Sequence, residues 1–264
     1  MPNILVLDIE TAPNLAYVWR FWQENISAKQ VLKACTILCW SAKWLGADEI
    51  FYSDGRGATS KIPNAKHEKK LLKELIPLLE TADMVVGHNL SKFDMPKIRG
   101  RCLAHSLPIP SPYKEIDTYK IASKEFGFES NSLEYLASIL LDEQKGSHKA
   151  FPGFELWSNC LLGNPDAWEE MKEYNIVDIK VTEALYLKIR PYATAHPNVG
   201  VYQESGDIAC PKCSSGNSNK RGYAYTATGK YQRYQCNNCG GWHRSRFTEY
   251  PKSKRDCLTV NTIS

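Results

Sequence analysis

Two close pairs of cysteines constrain the C-terminal part of this 264-residue chain more than any other feature. The pairs are Cys210/Cys213 and Cys236/Cys239, each with two residues between its members, and 22 residues separate the pairs. Four thiolates at this spacing suit tetrahedral Zn²⁺, and the metal supplies folding free energy that so short a segment lacks. A four-thiolate iron site is the one serious alternative. The chain has nine cysteines in all, and an odd number without a secretory leader argues against a disulfide framework.

The residues between the cysteine pairs predict a small β-structure around that metal. Tyr223 and Tyr225 belong to an alternating pattern that is typical of a strand. Cys239 is followed by the glycine usual at this position, whereas Cys213 is followed by Ser214, a small departure that leaves metal binding intact. We therefore expect a three-stranded zinc ribbon over residues 207–250, with one structural Zn²⁺. Its ligands would be Cys210, Cys213, Cys236 and Cys239.

Charge is distributed unevenly along the chain. Residues 207–264 contain ten Lys and Arg against three Asp and Glu, a net charge of +7; since the whole chain carries +4, residues 1–206 carry −3. Within the ribbon, aromatic residues alternate with Lys and Arg, which suits phosphates and unpaired bases. The partner indicated is nucleic acid, and the alternative is a ribbon that docks on a replication or repair protein. Residues 196–206 are predicted to be a linker and residues 251–264 a basic tail.

The N-terminal segment predicts a buried strand that ends in acidic residues. The apolar run Ile4–Leu7 is followed by Asp8, Ile9 and Glu10, and residues i and i+2 of a strand project from the same face. Two ionised carboxylates side by side repel each other. A divalent cation removes that conflict, and Mg²⁺ is the usual occupant of sites built from carboxylates and phosphate oxygens. The alternative is a pair of solvated acids on an edge strand.

Two later segments place further acids at helical positions. Asp94 follows Asn89 and Phe93 and is expected in the first turn of a helix, where an acid can also simply interact with the helix dipole. Tyr174 and Asp178 are four residues apart in a predicted long helix, so the phenol and the carboxylate lie on one face. An amphipathic helix with a solvated aspartate would show the same spacing.

Together, and in this order, the three motifs resemble those of the DEDDy exonucleases, a group of RNase H-like 3′–5′ nucleases. The motifs are Asp8-x-Glu10, Asn89-x-x-x-Phe93-Asp94 and Tyr174-x-x-x-Asp178. The resemblance is strongest to the proofreading domain of family B DNA polymerases, in which the segment between the second and third motifs is similar to residues 130–145 here. It spans about residues 3–190 and implies an α/β fold over residues 1–195, an RNase H-like mixed sheet flanked by helices.

The resemblance also implies an active site. Asp8, Glu10, Asp94 and Asp178 would hold two Mg²⁺ or Mn²⁺ ions about 4 Å apart. Asp8 would bridge both ions, Glu10 and Asp178 would complete one site, and Asp94 would complete the other. One ion would activate the attacking water and the other would stabilise the leaving 3′ oxygen. Tyr174 would orient the water, because an unperturbed tyrosine, with a pKa near 10, is a poor base at neutral pH.

Substrate contacts follow from the same resemblance. Thr11 and Asn89 are expected to form hydrogen bonds with the terminal nucleotides, and Phe93 to stack on a base, although Phe93 would serve equally well in the core. Asp117 and His88 are interpreted as structural. For the aromatic segment 17–22, core packing and a cover beside the active site both stay open.

The resulting hypothesis is a stand-alone, metal-dependent exonuclease that releases 5′-mononucleotides from the 3′ end of DNA. An exoribonuclease would use the same residues. A catalytically silent binding module is the third hypothesis, and the intact set of carboxylates with Tyr174 argues against it. The apolar runs are too short to span a bilayer. The absence of a leader at the N-terminus of this sequence leads us to expect a cytoplasmic protein without a membrane partner.

Overall fold

The chain forms two compact units in the computed structural model. The first covers Asn3–Tyr186, and the second runs from Leu187 to Ser264 and includes the first two residues. The predicted division into a nuclease domain, a linker, a ribbon and a tail stays a prediction. The structure describes residues 2–22, 25–56, 65–141, 150–204 and 206–262. Residues 142–145 of the segment with similarity to polymerases therefore lie outside the described residues.

The first unit contains a mixed five-stranded sheet. The strands of this sheet are β1 (Ile4–Thr11), β4 (Ile37–Trp44), β5 (Phe51–Asp54), β6 (Met84–Gly87) and β7 (Lys114–Asp117). Between β1 and β4, a separate short pair is formed by β2 (Leu15–Ala16) and β3 (Val31–Lys33). The order across the sheet is β5-β4-β1-β6-β7, and β2 pairs only with β3. β1 is antiparallel to β4, and β4 is antiparallel to β5, whereas β6 is parallel to β1 and β7 is parallel to β6. The carboxyl ends of β1, β6 and β7 therefore meet at one edge.

Among the described residues, six α-helices accompany this sheet. They are α1 (Ala65–Thr81), α2 (Asp94–Ala104), α3 (Thr118–Glu125), α4 (Leu133–Leu140), α5 (Glu155–Leu161) and α6 (Pro165–Ile189). Apolar residues recur every three to four positions in α1, as in Leu72, Leu75 and Leu79, so that one face of the helix is buried. α3 begins where the Asp117 carboxylate accepts hydrogen bonds from two backbone amides of its first turn.

In the described part of this unit, two apolar clusters lie against the sheet, one on each face. Leu5, Leu7 and Ile9 of β1 pack with α1 and with apolar residues of α2. Leu38 and Cys39 of β4 belong to a second cluster, formed with residues of α5 and α6. The sheet is thus covered by helices on both faces, and the predicted α/β fold, a mixed sheet flanked by helices, is confirmed.

The second unit has a three-stranded antiparallel sheet, called the ribbon sheet below. Its strands are β8 (Ser218–Tyr225), β9 (Lys230–Cys236) and β10 (Trp242–Arg244), in the order β10-β9-β8, and a short helix α7 (Lys252–Asp256) follows. The register of β8 against β9 shifts between Lys220 and Tyr223, where Gly222 adopts a φ of +66° that favours glycine. The predicted small β-structure around the cysteines is therefore present. No helix in the described part of the chain is long and apolar enough to cross a membrane.

Candidate active site and four-cysteine cluster

Three of the predicted carboxylates converge in the first unit. Asp8 and Glu10 lie two residues apart on β1, Asp178 lies on α6, and one oxygen from each falls within 4.8 Å of the others. Asp178 is buried, whereas Asp8 and Glu10 are half-buried. Three anionic groups at such distances repel one another. Their hard oxygen donors fit a divalent cation such as Mg²⁺ or Mn²⁺, which would remove this repulsion.

Asp94, the fourth predicted carboxylate, lies beside the same strand. It is the first residue of α2, is 2% exposed, and accepts a hydrogen bond of 3.2 Å from the backbone amide of Ile9, between Asp8 and Glu10. The pKa of Asp94 is raised to about 7 overall. Burial is the main cause and the charge of Asp117 adds to it, whereas hydrogen bonds from the backbone amides of Ile9 and Asp94 lower the pKa. A cation nearby would favour the ionised form. Asp94 is outside the group of three whose oxygens lie within 4.8 Å of one another.

Tyr174 lies one helical turn before Asp178, as predicted from the spacing. The Trp157 ring meets the Tyr174 ring edge-on, with centroids 6.1 Å apart. Burial raises the pKa of Tyr174 well above its usual range, and the charges of Asp178, Glu10 and Asp8 and a hydrogen bond with Asp178 raise it further. The phenol is therefore protonated at neutral pH and can donate a hydrogen bond.

A buried hydrogen-bond relay behind Asp8 was not predicted from the sequence. The Asn175 side chain is buried; its amide nitrogen donates to Oδ2 of Asp8 at 2.6 Å, and its oxygen accepts from the Ser41 hydroxyl at 2.5 Å. Ser41 is also the residue opposite Asp8 in the pairing of β4 with β1. One signal for this relay is in the sequence, since Ser41 ends the apolar run Ile37–Trp40 of β4, but nothing in the sequence points to its partner Asn175.

The loop after β6 holds two of the predicted substrate-binding residues. Asn89 has a φ of +59°, which asparagine tolerates better than most residues, and its backbone amide donates to Asp117. The amide and hydroxyl of Ser91 donate to the same carboxylate. At Gly87 an added Cβ would lie 2.9 Å from the Leu7 carbonyl oxygen, so only glycine fits between β6 and β1.

The other predicted substrate-binding residues, the predicted structural histidine and the aromatic segment lie at the following places in the fold. Thr11 is the last residue of β1, and Phe93, immediately before α2, is 38% exposed rather than buried in the core. Their contacts with nucleotides stay a prediction. His88 forms a 2.9 Å hydrogen bond with Thr118, in agreement with its structural interpretation. In the segment 17–22, Trp19, Phe21 and Trp22 are more than 90% exposed, so core packing of these three rings is excluded.

The four cysteines form a second candidate metal centre, within the second unit. All four sulfurs lie within 4.8 Å of one another, with 3.7 Å between Cys210 and Cys239 and 3.6 Å between Cys213 and Cys236. Zinc–sulfur bonds of about 2.3 Å in a tetrahedron would separate the sulfurs by about 3.8 Å, so the cluster fits Zn²⁺. Burial raises the pKa of Cys236, but hydrogen bonds, first from the amides of Cys239 and Asn238, lower it to about 7 overall.

The two cysteine pairs share one backbone conformation. The residue after the second cysteine donates its amide to the carbonyl of the first, Ser214 to Cys210 at 2.9 Å and Gly240 to Cys236 at 3.0 Å. Both residues are left-handed, with φ of +66° and +77°. Ser214 thus adopts the left-handed conformation that favours glycine, so the serine in place of the usual glycine leaves the turn unchanged.

Comparison with known proteins assigns the first unit. A model of the RNase_H superfamily matches residues 51–190, just over half of the chain. The chain belongs to the RNase_H superfamily. No curated protein matches the sequence. Among solved structures, the family B DNA polymerase from the hyperthermophilic archaeon Pyrobaculum calidifontis has a similar fold, with a TM-score of 0.52 and 13% identity over 73% of this chain and 26% of the polymerase.

This RNase_H superfamily member therefore spans about a quarter of the length of that polymerase. At 13% identity the likeness concerns the fold alone. Membership of the superfamily, the similar fold and the converging carboxylates together indicate a nuclease. The predicted relation to RNase H-like proteins is confirmed, and so is the four-cysteine cluster at the C-terminal end.

Proposed function

We propose that this protein is a divalent-metal-dependent 3′–5′ exonuclease that acts on DNA and releases 5′-mononucleotides. One observation carries the proposal: carboxylate oxygens of Asp8, Glu10 and Asp178, from a strand and a helix that are distant in sequence, lie within 4.8 Å of one another. Tyr174 lies one turn away from Asp178, and Asp94 is buried beside the strand that holds Asp8 and Glu10. This arrangement supports the whole set of residues that the DEDDy resemblance implies.

In this proposal the chain's residues act by position and charge. Asp8, Glu10, Asp94 and Asp178 would hold two Mg²⁺ or Mn²⁺ ions, which when bound activate water and stabilise charge on phosphate and leaving oxygens. Tyr174, kept protonated by burial and by its acidic neighbours, would orient the attacking water through its hydroxyl. The relay from Ser41 through Asn175 fixes the rotamer of Asp8, which keeps one oxygen of this carboxylate pointed away from the relay.

Substrate binding is proposed at the edge where β1 and β6 end. Thr11 ends β1, and Asn89 and Phe93 lie in the loop that follows β6. Phe93 exposes enough of its ring to stack on a terminal base. The side-chain amide of Asn89 can form hydrogen bonds with a nucleotide, while its backbone amide donates to Asp117. The preference for DNA is supported by the similarity of the fold to part of a DNA polymerase and by the sequence motifs. An exoribonuclease and a silent binding module are the competing outcomes of the test.

The second unit is proposed to bind one structural Zn²⁺ through the four cysteines. The separations of 3.7 Å between the sulfurs of Cys210 and Cys239 and of 3.6 Å between those of Cys213 and Cys236 are close to the separation in a tetrahedral four-thiolate site. We further propose residues 1–195 as the nuclease domain and residues 207–250 as the ribbon, with the basic tail after it, in a cytoplasmic protein. Docking of a replication or repair protein on the ribbon is the alternative to nucleic-acid binding.

A degradation assay tests the proposed activity. DNA and RNA oligonucleotides, single-stranded and duplex, are labelled at the 3′ or the 5′ end and incubated with the protein in Mg²⁺ or Mn²⁺. We expect mononucleotides to be released from the 3′ end of DNA, and Asp8→Ala and Asp178→Ala to abolish release. Lys254→Ala, in the exposed helix α7, is the control that keeps activity. Faster release from RNA would make the protein an exoribonuclease, and no release from any substrate would contradict the proposal.

A further inference from the structure

The ribbon sheet has one face on which arginines and aromatic rings alternate. Tyr231 and Arg233 lie two residues apart on β9, and Trp242 and Arg244 two residues apart on β10; Arg244 is opposite Arg233 in the register. Residues two apart on a strand, and residues directly opposite across a pair, project from the same face. These four side chains, which we call the Arg–aromatic face, therefore form a staggered array in which Tyr231 is diagonal to Arg244 and Trp242, which is opposite Gln235, is diagonal to Arg233.

The array is held together along its diagonals. The Arg244 guanidinium lies 3.9 Å from the centroid of the Tyr231 ring, and the Arg233 guanidinium lies 4.9 Å from the centroid of the Trp242 ring. The Arg244 guanidinium also donates to the backbone carbonyl of Ser245, and the Arg233 guanidinium donates to that of Arg221. Since an arginine has five N–H donors in one plane, these contacts fix the planes of both guanidinium groups and leave donors for a phosphate.

The electrostatics of the Arg–aromatic face favour an anion. Like charges directly opposite each other across a strand pair are destabilising, and Arg233 opposite Arg244 is such a pair. The three strands of the ribbon sheet contain no Asp or Glu. Both arginines are exposed, and Trp242 is 48% exposed. A polyanion would relieve the repulsion between the two arginines and cover the exposed ring.

A pocket adjoins this face within the second unit. Its volume is about 750 Å³, and Trp242 and Arg244 line it together with Lys212, Arg246 and Tyr192. A volume of this size is within the range of small-ligand sites. The same wall thus offers three cationic side chains and two aromatic rings. The Lys212 ammonium donates to the carbonyl oxygen of Pro191, which fixes this cation in the wall.

We infer that the Arg–aromatic face and the adjoining pocket bind single-stranded DNA, with bases stacked on Trp242 and Tyr231 and phosphates on Arg233 and Arg244. Unpaired bases expose the π-faces that such rings need, whereas a duplex buries them in its own stack. The identity of the strand as DNA rests on the function proposed above. The role assigned to the ribbon is to hold the strand independently of the carboxylate site.

Binding is measured on the 264-residue chain with Asp8→Asn, so that the probe is not degraded. The probes are fluorescein-labelled (dT)15, (rU)15 and a 15-base-pair duplex, and affinity is measured by fluorescence anisotropy at several salt concentrations. We expect (dT)15 to bind tightest. Trp242→Ala should weaken this binding about ten-fold, and Arg244→Ala should also reduce the slope of log affinity against log salt by about 1.

Matched variants separate this surface from general charge and folding effects. Trp242→Phe keeps a ring and should recover most of the affinity. Tyr225→Ala removes an exposed ring of β8; Tyr225 is opposite Lys230 in the register, so it lies on the other face of the sheet. Lys254→Ala removes one positive charge from α7. Both variants should bind (dT)15 with an affinity within two-fold of that of the parent chain. A metal analysis of each variant confirms that the four-cysteine cluster is still loaded.

Unchanged affinity in Trp242→Ala and Arg244→Ala would overturn the inference, and so would a preference for the duplex. Tighter binding of (rU)15 would overturn the assignment to DNA. If no probe binds, a protein partner is the better explanation of the face. This outcome is independent of the nuclease assay. The chain can bind DNA through Trp242 without releasing nucleotides, and it can release nucleotides without binding DNA through Trp242.

Discussion

At the scale of single residues, Asp8 is the side chain whose orientation the structure fixes most directly. Asn175 holds one oxygen of its carboxylate at 2.6 Å, and Ser41 in turn holds Asn175. Partners of this kind orient metal-binding carboxylates and commonly matter almost as much as the ligands. Both partners lie in or beside the core, so that the relay is shielded from water.

We expect Asn175→Ala to lower the nuclease rate by about 10- to 100-fold and to raise the Mg²⁺ concentration needed for half-maximal rate. Ser41→Ala removes only the outer hydrogen bond and should have a smaller effect in the same direction. Rates measured over a Mg²⁺ titration test both variants. A rate and a metal dependence equal to those of the unmodified protein would show that Asp8 needs no partner.

The same residues show how far sequence reasoning extends. The spacings of Asp8, Asp94 and Asp178 fit a strand or a helix, and the DEDDy resemblance predicts that these acids form one site. Ser41 and Asn175 are 134 positions apart, and no local periodicity connects them. Only the packing of α6 over β1 and β4 brings them together, and a single sequence does not encode that contact as a pattern.

At the scale of elements, Glu68 of α1 connects three parts of the first unit. Its carboxylate accepts from the backbone amide of Ile37 in β4 and from Arg101 in α2, and pairs with His105 after that helix. Burial raises the pKa of Glu68, but the hydrogen bonds of Arg101, His105 and Ile37 lower it by more, so that its pKa in the folded protein is below the usual value.

We expect Glu68→Gln to reduce the free energy of unfolding by about 2 kcal/mol at pH 7. Because the pKa is lowered by folding, this contribution is complete above the unfolded value of about 4.3 and is lost as the pH falls below it. Denaturant titrations of both proteins between pH 3 and 7 measure the difference. Glu115→Gln, which breaks the more exposed pair with Arg99, should cost at most about 1 kcal/mol; an equal cost would contradict the role of Glu68.

The two turns of the four-cysteine cluster make a second prediction at this scale. Ser214 is left-handed, and its buried hydroxyl has no hydrogen-bond partner among the described residues. Ser214→Gly should therefore stabilise the metal-bound second unit by about 1 kcal/mol. At Gly240 nothing lies within 4 Å of an added Cβ, so Gly240→Ser should destabilise it by about 1 kcal/mol through φ alone. Thermal unfolding of the second unit provides the measurement, and a loss of stability in Ser214→Gly would contradict the argument.

At the scale of the whole molecule, the two units bury different kinds of group. The first unit has apolar clusters on both faces of a five-stranded sheet, whereas the buried residues of β8 to β10 are Tyr234 and Cys236 alone. The charge asymmetry visible in the sequence follows this division, since the acidic part contains the carboxylate site and the basic part the cysteines. The separate acidic and cysteine motifs could be predicted from the sequence because each of their parts is a short segment with a fixed spacing. It could not predict the Arg–aromatic face, which depends on the register between β9 and β10.

Metal removal should therefore affect the units separately. Zinc binding contributes about 10–16 kcal/mol to folding in small four-ligand domains, and the ribbon sheet has little apolar burial to replace it. We expect a zinc-selective chelator, or Cys210→Ser, to abolish the thermal transition of the second unit and the affinity for (dT)15. The transition of the first unit should persist, because among the described residues the four-cysteine group that could hold a metal lies in the second unit. Calorimetry with and without chelator, in excess Mg²⁺, distinguishes the two transitions. Simultaneous loss of both transitions would mean that the first unit depends on the second, and retention of both would mean that the cysteines need no metal.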